Sequence, residues 1–195
     1  RFGDSPIRSP YYINKANFVA CHNPSYIDKY DIVDDLVDGG TFLLNCPWSD
    51  AELEHRLPGH VKKFIAEHNI QFYTIDGVEI GRQLGLGNRI NTVLQSAFFK
   101  LAKIIPEADA IQYMKDAALK SYGRKGEKVV QMNYAAIDRG AEAVRKVQVP
   151  ASWKDAEDTM PTFTASGRMS WNTASICWPK KSGSTSGSVP IALVI

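Results

Sequence analysis

The sequence predicts an α/β fold, a three-layer sandwich in which a mostly parallel sheet is flanked by helices. Three observations predict it. Short apolar runs of strand length end in turn residues near residues 16–21, 41–46 and 70–75. Helical patterns separate these runs, with short connections. From about residue 78 to 147 the pattern becomes helical, with apolar residues at one-face spacing.

The elements follow in order. "ANFVAC" (residues 16–21) is an apolar strand ended by His22-Asn23-Pro24. Ser25 is placed to cap "YIDKYDIVDDLV", where Ile27, Tyr30, Ile32 and Val33 suit a short helix that Asp38-Gly39-Gly40 would stop. "TFLLNC" (41–46) is a second buried strand, closed by Pro47. Ser49 and Glu52 have the Ser-x-x-Glu form of a capping box, so a helix starts there. Pro58 suits the first turn of the next helix, "GHVKKFIAEHN". "IQFYTI" (70–75) is the third strand, with Asp76-Gly77 as its turn. The three strands are expected at residues 18–21, 42–45 and 71–75.

In "GLGNRINTVLQSAFFKL" (85–101), Ile90, Val93, Leu94, Ala97, Phe98 and Leu101 form a continuous apolar stripe. Two further helices are expected at about 108–122 and 127–147, punctuated by Pro106 and Gly123. Beyond Asp158 no acidic residue occurs, and "KKSGSTSGS" reads as a flexible linker. Residues 154–195 are therefore expected to lie outside the fold. From about residue 162 they are expected to pack little against it.

Composition narrows the function. With 44% hydrophobic and 23% charged residues, the 195-residue chain has the make-up of a soluble globular domain. A net charge of +2 gives no field that would recruit nucleic acid. No apolar run approaches a membrane span, and no signal-peptide pattern opens the chain. Cys21, Cys46 and Cys177 stand far apart, without the paired spacing of a zinc or iron–sulfur site. That sparse usage fits a reducing, cytoplasmic setting. His22, His55, His60 and His68 show no ligand pattern, since Pro58 and Gly59 separate the middle two. No metal site is expected. The chain opens on Arg1, as a piece of something longer would.

The polar residues around residue 90 offer the chemistry. Gly85 and Gly87 give Gly-x-Gly, but Ile90 stands where a dinucleotide fingerprint needs its third glycine, so a free-standing NAD-binding domain is disfavoured. A glycine-opened helix start nonetheless suits phosphate or carboxylate, and Arg89 can add a charged contact. Asn91 and Gln95 lie one helical turn apart, so their amides project side by side. Paired amides suit an uncharged ligand that itself bears amides. The plainer alternative is that Asn88 caps the helix while Arg89, Asn91 and Gln95 are solvated.

Four stretches carry a resemblance: "RFGDSPIRSPYYI", "FVACHNPSYIDKYDIVDDLVDGGTFLLNCPW", "TIDGVEIGRQLGLGNRINTVLQSAFFKL" and "VVQMNYAAIDRGAEAVRKV". In that order they resemble the gamma-type domain of the pyruvate:ferredoxin (flavodoxin) oxidoreductases, over residues 1–153. The resemblance implies a Rossmann-like fold. It also implies a parent enzyme that converts pyruvate and coenzyme A to acetyl-CoA and carbon dioxide. That parent would use thiamine pyrophosphate, Mg2+ and 4Fe-4S clusters, none bound by this chain, and would pass electrons to ferredoxin or flavodoxin.

The resemblance places coenzyme A contacts at Asn91 and Asn133, with Gln95 and Arg89 as neighbours, and no catalytic residue in this chain. The family's glycine-rich loop and lysine, which also contact coenzyme A, lie outside the matching residues. So does the cysteine-rich segment that would follow. The chain alone is therefore expected to be inactive. Its expected partners are the parent's other domains, the electron acceptor and a second copy in a homodimer. The rival reading is a non-catalytic module that docks neighbouring domains and binds no ligand.

Overall fold

A computed structural model describes residues 15–157. The expectations for residues 1–14, for the tail from 162 onward and for Cys177 lie outside them.

The four strands are β1 (Ala16–Cys21), β2 (Leu36–Asn45), β3 (Gln71–Ile75) and β4 (Arg145–Lys146), in the order β1-β2-β3-β4. The first three run parallel and β4 is antiparallel to β3. The helices are α1 (Asp50–Arg56), α2 (Gly59–Glu67), α3 (Gly77–Gln83), α4 (Asn91–Ala102), α5 (Glu107–Tyr122) and α6 (Glu127–Glu142). Because successive strand residues face opposite sides, Val19, Phe42, Leu44 and Phe72 enter one apolar cluster with Leu53, Val61 and Ile65 from α1 and α2. Phe18, Ala20 and Leu43 enter the other with Ile80, Val93, Leu94, Ala97 and Ala136 from α3, α4 and α6. That is the expected three-layer arrangement.

All three expected strands are present. The capping box is also formed: Ser49 Oγ accepts from the Glu52 N–H while the Glu52 carboxylate accepts from the Ser49 N–H. Pro58 stands at the N-cap of α2, one position before its first turn. Trp153, in a 3₁₀ turn at Ala151–Asp155, is buried and its ring lies against Phe72, with the indole N–H donating to Glu54.

Five local expectations are corrected. The segment "YIDKYDIVDDLV" is not a helix: only Pro24–Tyr26 makes a 3₁₀ turn, capped by the Asn23 side chain rather than by Ser25. Its apolar residues are spaced i, i+3, i+5, i+6, which no helical face accommodates, so Ile27, Ile32 and Val33 reach the core from irregular backbone. Asp38-Gly39-Gly40 lies inside β2, where Gly39 takes φ 72°. Ala16 pairs with Leu36 and Phe18 with Thr41, so β2 bulges there and absorbs the extra residues.

Gly85 and Gly87 do not open a helix. They form a loop with φ 72° and 60°, and α4 begins at Asn91 behind Ile90, with no side-chain cap from Asn88. Finally, α6 stops at Glu142, and the chain beyond it supplies β4.

Candidate functional site

Two concavities flank the sheet's upper helices. The first lies between α4 and α5, a cavity of about 290 Å³. Asn91, Thr92, Gln95 and Phe99 line it from α4; Tyr113, Met114, Ser121 and Tyr122 line it from α5. The apolar stripe of α4 turns Val93, Leu94 and Ala97 into the core, so the opposite face presents Asn91 and Gln95 to solvent. Neither amide has a hydrogen-bond partner among the described residues. The cavity is therefore an apolar and aromatic trough with two uncommitted amides on its rim.

Asn133 sits one helix deeper. It is 5% exposed, and its amide N–H donates to the Val129 carbonyl at 2.8 Å. Its Oδ1 accepts from the Thr92 hydroxyl at 3.4 Å. Thr92 lines the cavity next to Asn91, so Asn133 meets the site through Thr92 and is not itself part of the wall. Arg89 lies in the exposed loop before α4, its N–H bonded to the Leu86 carbonyl, and lines neither concavity. The structure thus brings Asn91 and Gln95 onto one cavity, links Asn133 to it, and leaves Arg89 apart.

The α4–α6 contact that holds this geometry depends on small residues. Ser96 Oγ donates to the Ile137 carbonyl at 2.5 Å. At Gly140 a Cβ would collide with the Val93 carbonyl. A mid-helix glycine costs about 1 kcal/mol relative to alanine. Here it is what lets the two helices approach.

The second concavity, about 460 Å³, opens where the three parallel strands end, the usual ligand position in open α/β sheets. His22, Asn23, Asn45, Asp76, Glu79 and Asn88 line it. Its polar groups are largely engaged. Asn45 donates to the His22 carbonyl at 2.8 Å and accepts from the Gly77 N–H at 2.9 Å, tying β1, β2 and α3 together. Asp76 caps the Glu79 N–H, and Glu79 binds Arg82 and Gln83. Those hydrogen bonds, Arg82 first, hold the Glu79 carboxyl down to about 2. Burial lowers the His22 pKa below its ordinary value, favouring the neutral imidazole.

Sequence reasoning missed Asn45, Thr92 and Ser96. Asn45 left one signal, a lone polar residue at the end of an apolar run; Thr92 and Ser96 left none beyond their type.

Among the described residues no cluster of three or more His, Cys, Asp or Glu could hold a metal. Cys21 and Cys46 are free and buried. No described helix is long and apolar enough to cross a membrane.

Residues 1–143 match the family model of the pyruvate ferredoxin/flavodoxin oxidoreductases. The chain belongs to that family. It is 49% identical over 158 residues to the pyruvate:ferredoxin oxidoreductase of Moorella thermoacetica, covering 81% of this chain and 14% of that protein. With the pyruvate-flavodoxin oxidoreductase of Klebsiella pneumoniae it shares 50% over 169 residues, 87% of this chain and 14% of that one. With the pyruvate dehydrogenase [NADP(+)] of Cryptosporidium parvum it shares 42% over 153 residues, 78% of this chain and 8% of that one. This oxidoreductase-family chain therefore spans about a seventh or less of those relatives' length. In fold it is similar to the crystal structure of pyruvate oxidoreductase subunit PORC from Thermotoga maritima. The TM-score is 0.55 at 18% identity, covering 70% of this chain and 67% of that one.

Proposed function

We propose that this chain is the segment of a pyruvate oxidoreductase that helps bind coenzyme A, through the cavity between α4 and α5. The observation that carries the reading is the pair of uncommitted amides, Asn91 and Gln95, above an apolar trough. The pantetheine arm of coenzyme A is a flexible apolar chain interrupted by amides, so it can bury its methylenes and pair its polar groups at once. Thr92 and Asn133 form the layer beneath: the Thr92 hydroxyl donates to the Asn133 carboxamide oxygen, tying the start of α4 to α6, while the Asn133 amide donates to the Val129 carbonyl within α6. Arg89 lies on the loop leading into that start.

The relatives support this division of labour. Proteins named for ferredoxin, flavodoxin and NADP+ as acceptors all share the segment. What it does is therefore best sought in a step common to them all rather than in acceptor choice. The parent reaction joins pyruvate and coenzyme A to give acetyl-CoA and carbon dioxide, in the cytoplasm, with electrons leaving to ferredoxin or flavodoxin. Thiamine pyrophosphate, Mg2+ and iron–sulfur clusters belong to other parts of that homodimeric parent. The two buried described thiols do not make the four-cysteine set a cluster needs. No catalytic step is assigned to this chain.

Steady-state kinetics of the intact oxidoreductase test the proposal. Losing one ligand hydrogen bond costs about 1 kcal/mol, so Asn91→Ala should raise the coenzyme A KM roughly fivefold and leave the pyruvate KM unchanged. Asn133→Ala should act in the same direction by loosening Thr92. If both variants keep the native coenzyme A dependence, the segment is a docking module instead.

A further inference from the structure

The trough between α4 and α5 has two unlike ends. Residues 103–106 join the helices, a connection short enough to fold one back on the other as a helical hairpin. Lys100, in the last turn of α4, lies 3.6 Å from the carboxylate of Glu107, the first residue of α5. That ion pair sets the register. The first half of α5 lies along the end of α4, and the last turn of α5 lies toward the start of α4. The lining residues therefore sort by chemistry. Near the hairpin connection stand Phe99, Ile105, Ala110, Met114 and Tyr113, whose hydroxyl is the only polar side-chain group among these five. Phe99 packs there on the small core formed by Met114, Ala118 and Ile137. Toward the start of α4 stand Asn91 and Thr92 with Ser121 and Tyr122, and Gln95 lies between the two ends. At a rise of about 1.5 Å per residue, Gln95 is about 6 Å and Phe99 about 12 Å along the helix from Asn91.

We infer that this gradient sets the direction of the ligand: the thiol end of the coenzyme A arm lies near the hairpin connection, where Tyr113 determines which sulfur substituents are favoured. The inference rests on the coenzyme A reading and adds an orientation to it. Coenzyme A has one bulky, charged end, the phosphorylated nucleotide, and one slender end, an ethanethiol. Phosphates placed against Phe99, Ile105 and Met114 would lose hydration with no cation among the trough's described lining residues to replace it. An ethanethiol carries no such charge and can be buried there. Back from the sulfur come two amides separated by two methylenes, which suits two side-chain amides one helical turn apart. The arm thus meets Gln95 first and Asn91 second, and the rest of the molecule leaves past the start of α4. A thioester carries an apolar acyl group where the free thiol carries a proton. The same pocket therefore favours S-acyl forms of the ligand over the free thiol. Tyr113 is the exposed part of its wall, at 63% exposure, so it can be changed without disturbing the core.

Equilibrium titration of the full-length oxidoreductase, without pyruvate or an electron donor, tests the inference with three probes: coenzyme A, acetyl-CoA and butyryl-CoA. Affinity should rise along that series. Butyryl-CoA should bind about fivefold or more tightly than acetyl-CoA, since each buried methylene contributes up to about fourfold. A Tyr113→Ser variant should flatten the rise, and Tyr113→Phe should keep it. Neither change should move the thermal midpoint, because the side chain is exposed. Equal or falling affinity along the native series would overturn the inference, as would a Tyr113→Ser variant that keeps the native rise. The coenzyme A reading fails separately, by Asn91→Ala leaving coenzyme A binding intact. Weaker coenzyme A binding in that variant, with a flat acyl series in the native enzyme, would sink the orientation alone.

Discussion

The crevice at the strand ends and the trough between α4 and α5 are both lined by asparagines, yet the residues do opposite work. At the strand ends, Asn45 spends its donor on the His22 carbonyl and its acceptor on the Gly77 N–H. Beside the trough, Asn91 spends nothing on the fold. Asn133 lies between the extremes, with its donor on Val129 and its acceptor receiving a longer bond from Thr92. A buried amide whose partners are protein groups stabilises the structure. An exposed amide without partners stabilises it hardly at all and is free to recognise a ligand. On the proposed reading the binding face is the trough, although the crevice occupies the more usual position and its exposed Asn88 is likewise without a side-chain partner among the described residues.

The largest expected effect breaks the frame beneath the trough. Gly140→Val forces a side chain into the Val93 backbone, which should cost about 3 kcal/mol or more through overpacking. Urea unfolding would read the lost midpoint; an unchanged midpoint would mean that α4 and α6 do not meet at Gly140.

Next comes the comparison itself. Asn45→Ala removes two hydrogen bonds and leaves the Gly77 N–H buried and unpaired, so it should cost about 2–3 kcal/mol of stability. Coenzyme A affinity of the folded variant should stay native. A selective loss of that affinity would move the site to the crevice.

At the other pole, Asn91→Ala should change stability by less than about 0.5 kcal/mol, as exposed substitutions do. Asn133→Ala should cost about 1 kcal/mol, because the Thr92 hydroxyl loses its acceptor. The two variants measured side by side rank the asparagines by how much of each amide the fold has used. Equal costs would erase the distinction.

A further effect is a pH dependence in the core under the crevice. Burial raises the Cys21 thiol to about 11, against a smaller opposing effect of the Asn23 backbone. The folded state therefore favours the neutral thiol. Its contribution to stability is complete below the ordinary value of 9 and is lost as pH rises from there toward 11. Native protein should lose more stability than Cys21→Ala between pH 8.5 and about 10.5, measured by urea unfolding. Parallel losses would show that Cys21 ionises equally easily in the folded and unfolded chain.

Much of the fold was legible because its signals are local. Ser49 and Glu52 lie three residues apart, and their capping box forms as the spacing requires. The stripe through Val93, Leu94 and Ala97 is buried as its period dictates. The apolar runs at residues 18–21, 42–45 and 71–75 are strands, since a run buried on both faces suits a parallel sheet. Local signals also misled. Asp38-Gly39-Gly40 looked like a stop but is a bulge within β2, because pairing with β1 continues on either side of it. Residues 143–147 continued a helical pattern, yet the open edge of β3 recruits Arg145 and Lys146 into a strand.

The site divides in the same way. Helical spacing alone made Asn91 and Gln95 neighbours on a solvent face, since residues four apart share one side of a helix whatever surrounds it. The resemblance, not spacing, put Asn133 beside them. Only the tertiary structure decided that Asn133 is buried against Thr92, that Arg89 stands apart, and that α5 closes the trough with Tyr113 and Tyr122. Those facts depend on which groups from distant parts of the chain come within hydrogen-bonding or packing distance. Asn45, Asn91 and Asn133 carry the same carboxamide, and residue type cannot tell them apart. Long-range packing sets their partners, and the partners determine whether each amide serves the fold or remains open to a ligand.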